Sequence, residues 1–354
     1  MIGSDIDASL ANRLKAQAYG VGFDLAGIAR LGPAETASEF ESWISKGYAG
    51  EMAYLPRGAE KRRDTRAPFA GAVSALVVAM DYGGKEPTGP VARYARGDDY
   101  HDIMWAMLDS LHEWIEREAG HPIPGKSYVD TGPILERDLA RRAGLGWFGK
   151  NTNLVNPGRG SFFFIGSLLL AVELEADAPF EADRCGTCTR CLDACPTNAF
   201  VEPRVLDATR CISYLTIESR GAVPLELREQ VGSLLYGCDI CQDVCPWNQR
   251  FSESLPNDSP FSPREAVRDK DSGKLAREVL AMSQDDFSLA FRRSPMKRAK
   301  LTGLQRNAAV VLGNTGSVAD IPSLTIALDG SSSLVREHVE WAIERIRSRS
   351  ASQD

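Results

Sequence analysis

Hydrophobic residues along the chain alternate between helical spacing and short continuous runs. Residues 73–80 and 161–172 are apolar runs of strand length, and each predicts a buried β-strand. A helix is predicted over residues 7–19, where the apolar residues share one face. These inward residues are spaced by four: Leu10, Leu14 and Ala18.

A longer helix is predicted over residues 100–118. Its inward positions are apolar or aromatic: Ile103, Met107, Leu111, Trp114 and Ile115. Residues 127–130 predict a short strand that ends at a Thr-Gly-Pro turn. A helix should follow over residues 134–143, because Gly144 suits the position just past a helix end. Together these elements predict one α+β domain over residues 1–178.

The C-terminal part of the chain contains a short repeat. Residues 304–315 are echoed by residues 334–345, with Arg306 aligned to Arg336. A further helix is predicted over residues 321–328, begun by a proline in its first turn. This pattern indicates one HEAT-like helical hairpin and part of the next. A single such unit cannot stack into a solenoid, so it should pack on the rest of the protein.

The chain has 354 residues and a net charge of −7, so its overall charge does not indicate nucleic-acid binding. Basic residues are nevertheless concentrated in two stretches. The first contains Arg57, Lys61, Arg62, Arg63 and Arg66, and the second Arg292, Arg293, Lys297, Arg298, Lys300 and Arg306. Each stretch alone is typical of a solvated surface. Two in one chain indicate a polyanionic partner.

Neither a membrane span nor an export signal is predicted. The longest apolar run, residues 162–172, is too short to cross a bilayer. The first five residues lack the charged and apolar regions of a signal peptide. We therefore expect a cytoplasmic protein.

The eight cysteines of the chain all lie between residues 185 and 245. The first run follows the bacterial ferredoxin pattern C-x2-C-x2-C-x3-C-P, in which the fourth cysteine ligates the other cluster. This crossing rule assigns one [4Fe–4S] cluster to Cys185, Cys188, Cys191 and Cys245. It assigns the second to Cys195, Cys211, Cys238 and Cys241. The pattern predicts a protein that transfers single electrons.

Cysteines can also form structural zinc sites or disulfides. Paired C-x-x-C motifs also form structural zinc sites, but a zinc ribbon needs two cysteines per knuckle rather than three followed by a fourth and a proline. Disulfides are disfavoured because a cytoplasmic chain keeps its thiols reduced. A [4Fe–4S] module over residues 179–256 is therefore the favoured interpretation.

A glycine-rich stretch, Gly144-x-Gly146-x-x-Gly149, resembles a nucleotide-binding loop only superficially. A dinucleotide loop follows a strand and opens a helix, whereas these glycines follow a predicted helix and lead towards a strand. A ligand-lining loop with Lys150 and Asn153 as its polar members remains open.

The chain has four histidines, and none is paired with another potential metal ligand. Asp99-x-His101 resembles part of a cobalamin motif but lacks its glycine. The remaining three, His112, His121 and His338, are expected to lie at the surface or at helix caps. The sequence therefore nominates no histidine ligand for a corrin.

Asp130 is the candidate proton donor. It stands at a predicted strand end, just before the Thr-Gly-Pro turn. A carboxyl group that is desolvated beside a pocket can hold its proton near neutral pH. The alternative is a helix N-cap.

Several longer motifs resemble the epoxyqueuosine reductase (QueG) family over residues 10–345. They include Tyr128-Val-Asp130-Thr-Gly132-Pro, Gly144-Leu-Gly-Trp147-Phe-Gly-Lys150-Asn-Thr and Gly237-Cys-Asp-Ile-Cys241-Gln-Asp-Val-Cys-Pro-Trp-Asn248. The resemblance implies reduction of the epoxide of epoxyqueuosine to the alkene of queuosine, at the wobble position of a tRNA with a GUN anticodon. It also implies cobalamin, two [4Fe–4S] clusters and an external low-potential electron donor, with Asp130 as proton donor, raised in pKa by burial.

The resemblance carries over further residues by alignment. The cobalamin contacts fall on Arg57, Tyr94, Ala95, Asp130, Leu154, Ile165, Ser213 and Asp239. The tRNA contacts fall on Leu135, Glu136, Arg137 and Arg220, with Lys297, Arg298 and the rest of the basic stretch up to Arg306 on the tRNA backbone. The implied architecture is an α+β chain of three parts. These are a cobalamin- and substrate-binding domain (1–178), a ferredoxin-like module with two clusters (179–256) and a HEAT-like tRNA-binding domain (257–354).

Three alternatives remain at this point. A corrinoid reductase of a small molecule, such as a reductive dehalogenase, would not need the basic stretches. A non-catalytic electron-transfer subunit would bind clusters but no corrin. A HEAT-based tRNA adaptor would bind tRNA without turnover. A monomer is expected in the favoured case.

Overall fold

The computed structural model describes residues 3–351, with side chains from residue 10 onward. Strands and helices are both present, as the α+β prediction requires. The strands are β1 (Leu25–Arg30), β2 (Ser74–Asp81), β3 (Gly125–Tyr128), β4 (Trp147–Phe148), β5 (Leu154–Val155), β6 (Phe163–Leu170), β7 (Phe200–Glu202) and β8 (Val205–Leu206).

The helices of the first half are α1 (Gly3–Gly20), α2 (Ala37–Ser45), α3 (Tyr54–Arg57), α4 (Ala59–Arg62), α5 (Tyr100–Ala119) and α6 (Glu136–Arg142). Those around the cysteines are α7 (Arg190–Asp193), α8 (Ile212–Ile217), α9 (Leu225–Val231), α10 (Ile240–Asp243) and α11 (Pro246–Phe251). The C-terminal ones are α12 (Ser272–Ala281), α13 (Gln284–Ala290), α14 (Lys300–Thr315), α15 (Ile321–Leu328) and α16 (Ser333–Ala351). Short 3-10 turns cover Arg93–Ala95, Ala208–Arg210, Pro295–Ala299 and Val318–Asp320. None of the described helices is both long and apolar enough to cross a membrane.

A four-stranded antiparallel sheet forms the N-terminal part, in the order β1-β2-β6-β3. Helices cover both of its faces. Alternate residues of β2 point to opposite sides, so Leu76 and Val78 pack with α1 and α5 while Ala75 and Val77 pack with α6. This burial on both faces explains why β2 and β6 are continuous apolar runs.

The predicted elements of this part are confirmed, with shifts at their ends. β3 ends at Tyr128, two residues earlier than predicted, which leaves Asp130 beyond the strand. The centre of the buried face of α5 also differs from the prediction. It is formed by Tyr100, Met104, Leu108, Leu111 and Ile115, while Ile103, Met107 and Trp114 flank it and are only partly buried.

One buried side chain, Arg93, joins the N-terminal part to the cysteine-containing segment. Its guanidinium Nη1 atom donates to Asp239 at 3.1 Å and to Asp243 at 2.7 Å, and its backbone N–H donates to Asp239 at 2.9 Å. The same guanidinium lies 4.8 Å from the centroid of the Phe162 ring. The loop that carries Cys238 and Cys241 is thereby fixed against the sheet.

The C-terminal helices do not form an isolated domain. Residues 272–290 form α12 and α13 and contribute Leu275 and Phe287 to the core. That core also contains Val91 from the N-terminal part and Tyr236 from the cysteine-containing segment. The helical repeat therefore packs on the rest of the protein, as a single HEAT-like unit must.

Arg306 and His338 are buried, contrary to the prediction for each. Arg306 is 1% exposed and donates to the carbonyl groups of Leu215, Ser219 and Gly221, so it cannot contact a nucleic acid. The His338 Nδ1–H donates to the Leu334 carbonyl at 2.7 Å, and its Nε2 accepts the Val223 N–H at 3.1 Å. Burial lowers the pKa of His338 to about 4, which keeps the imidazole neutral.

Replacing Arg306 should destabilise the protein strongly. Arg306→Met leaves three buried carbonyl groups without donors, so the free energy of unfolding should fall by about 3–5 kcal/mol. Denaturant unfolding of the anaerobically purified chain measures this. Arg292→Met, at an exposed position in the same basic stretch, should change stability by less than about 0.5 kcal/mol. Equal stability of the two variants would contradict a structural role for Arg306.

Candidate active site and cluster sites

Asp130 lies just beyond β3 in a conformation that non-glycine residues rarely adopt. Its φ angle is 54°, which costs on the order of 1–3 kcal/mol and needs support from neighbours. Two contacts provide it. The backbone N–H of Asp130 donates to Glu136 Oε1 at 2.7 Å, and the Tyr100 hydroxyl donates to Asp130 Oδ2 at 2.8 Å. Glu136 therefore holds the backbone of Asp130, and Tyr100 holds its carboxylate.

The acid that loses more of its hydration in this site is Glu136 rather than Asp130. We expected Asp130 to be desolvated, but its side chain is exposed. Glu136 remains partly accessible, yet the surrounding protein still removes most of its hydration. Burial first, and then the negative charge of Asp130, raise the pKa of Glu136 to about 8. Glu136 therefore retains a proton at neutral pH, next to an accessible carboxylate.

Aromatic residues surround the two acids. Tyr100 stacks on Phe164, with ring centroids 4.1 Å apart, and Tyr94 lies 6.4 Å from Tyr100. Burial raises the pKa of both tyrosines well above its usual value, so both remain neutral hydroxyl groups. Such groups can donate hydrogen bonds without adding charge.

A buried arginine adds a donor to this pocket. Arg62 is 9% exposed, and its Nη2 atom lies 3.5 Å from the carbonyl of Gly132, two residues after Asp130. Its Nη1 atom has no hydrogen-bond partner among the described residues. An unsatisfied buried guanidinium suits a ligand that carries acceptor oxygens.

The residues assigned to cobalamin by resemblance fall into three places. Tyr94 lies between the acid site, through Tyr100, and the cluster loop, where it faces Gly237. Ser213 and Asp239 lie on the other side of that loop, because the Ser213 hydroxyl accepts the Cys238 N–H at 3.1 Å and Asp239 binds Arg93. Ala95 is buried on the same 3-10 turn as Tyr94.

The other assigned residues are more peripheral. Leu154 and Ile165 belong to the sheet face that α6 covers. Arg57 is exposed on α3, the short helix that also carries Tyr54. The groups between Asp130 and the Cys238 loop are a mixture of aromatic, hydroxyl and small apolar side chains. Such a mixture fits the flat apolar ring and polar rim of a corrin.

The first set of four cysteines surrounds one cavity. The cavity has a volume of about 360 Å³, and its wall includes Cys185, Cys188, Cys191 and Cys245. Burial, and then the neighbouring thiols of Cys245 and Cys185, raise the pKa of Cys191 to about 11. Four converging thiols are the donor set of a [4Fe–4S] cluster, so these residues fit that group. Loading with iron would deprotonate them.

The second set lies deeper in the protein. Burial raises the pKa of Cys238 to about 12, with further contributions from Cys211 and Cys195, so the three thiols are neighbours. Burial likewise raises the pKa of Cys241 well above its usual value, and its charged neighbours include Cys238, Cys211 and Cys191. The structure thus brings Cys195 to the partners of the second run and Cys245 to those of the first.

The glycine-rich loop after α6 supports the first set of cysteines. Lys150 donates to the carbonyls of Gly186 at 2.7 Å and Cys188 at 3.0 Å, and the Trp147 indole N–H lies 3.4 Å from the Cys185 sulfur. Asn151 reaches the Cys241 carbonyl at 3.2 Å. Asn151, rather than the predicted Asn153, is therefore the second polar contact. Hydrogen bonds to cluster sulfurs influence reduction potential.

The residues assigned to tRNA form two groups. Leu135, Glu136 and Arg137 begin α6 beside Asp130. Arg220 and Arg298 lie together, because Arg220 donates to the Arg298 carbonyl at 2.8 Å. A third residue, Lys297, is exposed next to them. Within the first group, the Glu136 carboxylate accepts the backbone N–H of Asp130 at 2.7 Å.

Tyr54 connects these two groups, and the sequence did not single it out. Its ring lies 5.5 Å from the guanidinium of Arg298, which also forms two 2.9 Å contacts with Glu218. Burial, then the charge of Glu218, and also that of Asp130 raise the pKa of Tyr54. Tyr100 was likewise assigned only to a buried helix. No local sequence signal marks either tyrosine, because their partners come from distant segments.

Fold and site together define an iron–sulfur oxidoreductase that has two cluster sites and an acid site, which Tyr100 and Tyr94 connect to the inner one. A family described as "4Fe-4S double cluster binding domain" matches residues 184–248, and one described as "Epoxyqueuosine reductase QueG, DUF1730" matches residues 62–131. An epoxyqueuosine reductase of Pseudomonas aeruginosa is 40% identical over 96% of this chain and 95% of its own length. The Escherichia coli relative is 38% identical over 97% and 91%. The chain belongs to the epoxyqueuosine reductase family.

Solved structures agree with this assignment. A crystal structure of epoxyqueuosine reductase with an epoxyqueuosine-modified tRNA stem loop has a TM-score of 0.85 at 30% identity, covering 98% of this chain and 92% of that chain. A Bacillus subtilis epoxyqueuosine reductase whose catalytic loop is swung out of the active site also has a TM-score of 0.85, at 30% identity and 96% and 90% coverage. The family's [4Fe–4S] clusters match the cysteine arrangement described above.

Turnover should depend on the proton of Glu136. The wild-type rate should fall as the pH rises through about 8, because Glu136 then ionises beside Asp130. Glu136→Gln keeps an oxygen that accepts the Asp130 N–H but holds no transferable proton, so its rate should stay at the low level that the wild type reaches above pH 8, and the limb should disappear from the pH–rate profile. Glu113→Gln, at an exposed position on α5, should keep the limb. A limb near pH 8 that persists in Glu136→Gln would show that another group titrates.

Proposed function

We propose that this protein is a tRNA epoxyqueuosine reductase, which catalyses the last step of queuosine formation. It reduces the epoxide of epoxyqueuosine, at the wobble position of a tRNA with a GUN anticodon, to an alkene. Two electrons and two protons are consumed and water is released. The observation that carries this proposal is the acid pair of Asp130 and Glu136, which Tyr100 and Tyr94 connect to the loop that carries Cys238. A pure electron-transfer subunit has no need of that pair.

Electrons reach the pocket through the two cysteine sets. The outer set lines an accessible cavity, and the inner set borders Ser213 and Asp239. The inner cluster would therefore lie next to Tyr94, Ser213 and Asp239. These residues would hold cobalamin, which would supply a low-potential metal centre for reduction of the epoxide. Buried positions around the inner set also exclude water from the reduced centre.

Protons reach the substrate from the acid pair. Asp130 is accessible, so it is the group that contacts the opening epoxide, and it donates to the epoxide oxygen a proton that it receives from Glu136. Tyr100 fixes the orientation of the Asp130 carboxylate. Departure of water requires a second proton, which follows the same route after solvent has protonated Glu136 again. General acid catalysis of this kind contributes roughly 10²–10⁴-fold to a rate.

The tRNA would lie across the surface formed by Arg220, Lys297 and Arg298. Tyr54 joins this surface to Asp130, so a base splayed from the anticodon loop could enter the pocket there. Phosphate contacts position the tRNA, and the pocket selects the modified base. The protein acts as a cytoplasmic monomer that receives electrons from an external carrier.

Substitution of Asp130 tests the proposed reaction. The chain is reconstituted anaerobically with iron, sulfide and cobalamin and is supplied with a low-potential reductant and epoxyqueuosine-tRNA. The wild type should form queuosine, and Asp130→Asn should lower the rate at least about 100-fold while the cluster and corrin spectra stay unchanged. Asp109→Asn, on the exposed side of α5, serves as the control. Full activity of Asp130→Asn would remove its role as proton donor.

Charge reversal tests the tRNA surface. Lys297 and Lys300 are exposed and form no ion pair with any described residue. The double variant Lys297→Glu/Lys300→Glu should weaken tRNA binding and flatten the dependence of log K on log salt by about 1–2. Arg117→Glu, roughly 25 Å along α5 from Tyr100, should leave both unchanged. An unaltered salt slope in the double variant would show that this stretch is only a solvated surface.

A further inference from the structure

The mouth of the outer cluster cavity carries a group of positive charges that the proposed reaction does not use. Arg184, Arg190 and Arg250 line this cavity together with Cys185 and the other outer cysteines. All three arginines are exposed. None of them forms an ion pair with a residue in the part of the chain that the structure describes. They form what we call the arginine rim: Arg184, Arg190 and Arg250.

The arginine rim is not neutralised by its neighbours. The nearest acidic residue along the chain, Asp183, is paired with Arg204 at 2.6 Å and accepts the Cys185 N–H. Asp193 accepts a hydrogen bond from Thr189 at 2.8 Å. Because the whole chain carries a net charge of −7, a local excess of cations at this mouth is not a consequence of overall composition. It would attract a negatively charged surface.

Aromatic rings fill the space between these charges. Trp247 lies 5.0 Å from Trp147 and 5.5 Å from Phe251, measured between ring centroids. Arg184 lies over Phe180 at 5.6 Å, and the guanidinium of Arg250 lies over Phe251 at 5.1 Å. Arginines that flank partly exposed aromatic rings are the composition of protein–protein interfaces.

This face lies at the electron-entry end of the molecule. The outer cysteines border the rim directly, whereas the inner cysteines lie between them and the pocket: Cys241 neighbours Cys191 on one side and Asp239 on the other. Asp130 does not line this cavity. A tRNA bound at Asp130 therefore does not need to cover the arginine rim. An electron carrier does, because it must come close to the outer cluster.

We propose that the arginine rim docks an acidic one-electron carrier protein over the outer cluster. Each docking event oxidises the carrier by one electron and reduces the outer cluster by one, without bond formation or proton transfer. Two such events supply one turnover. This inference rests only on the two-cluster part of the proposed function and is independent of the substrate.

Stopped-flow reduction of the reconstituted protein tests the proposal, with cluster absorbance as the readout and no tRNA present. The probe is an acidic flavodoxin in its fully reduced form. The variant Arg184→Glu/Arg190→Glu/Arg250→Glu should lower the second-order rate constant by at least about 10-fold and remove its salt dependence. Arg184→Lys/Arg190→Lys/Arg250→Lys retains the charge and should keep most of the rate.

Two controls separate docking from damage. Arg292→Glu/Lys297→Glu/Lys300→Glu makes the same change in charge in the second basic stretch, away from the rim. It should not slow reduction of the clusters by flavodoxin. Reduced methyl viologen is a small cation and should reduce every variant at the wild-type rate or faster. An unchanged flavodoxin rate in the rim variant would overturn the proposal. The proposal would also be overturned if the rim variant were reduced by viologen as slowly as by flavodoxin. A loss of tRNA affinity in the rim variant as large as in the control triple variant would overturn it as well.

Discussion

The buried guanidinium of Arg93 fixes the inner cysteines against the sheet from which the acid site extends. It binds both Asp239 and Asp243, on the segment that holds Cys238 and Cys241, and it lies against Phe162, the residue before β6. A buried cation with two carboxylate partners is costly to disrupt, by roughly 3–5 kcal/mol when one partner is lost. The inner cluster loop and the sheet are therefore fixed relative to each other, and so is the gap that separates the loop from Asp130.

The acid site combines backbone strain with an unusual division of labour. Asp130 adopts a left-handed conformation that its bonds to Glu136 and Tyr100 stabilise. Its side chain is accessible, whereas burial raises the pKa of the neighbouring Glu136 to about 8. The site thus contains two carboxyl groups in different environments.

Residue spacing predicted the features that depend on residues close together in the chain. The two cysteine runs predicted two ferredoxin-type clusters, and apolar runs predicted β2 and β6. The sequence could not show that Arg306 is a core residue, because an arginine in a basic stretch looks the same whether it meets solvent or three carbonyl groups. The desolvation of Glu136 was equally hidden, since it comes from the three-dimensional surroundings of this residue, which bring Arg62 close to it, rather than from its neighbours along the chain. The assignment of Asp130 rested on a motif, and its exposure could be seen only in three dimensions.

We infer that electrons pass from the outer cluster through the inner cluster and a corrin to the acid site. The iron and corrin content of the reconstituted protein tests this path. Anaerobic reconstitution with iron, sulfide and cobalamin, followed by metal analysis and an absorption spectrum, measures what the chain holds. We expect about eight iron atoms and one tightly bound corrin per chain. Eight iron atoms without any affinity for a corrin would contradict it, because the gap between Asp130 and the inner cluster would then have no redox group to fill it.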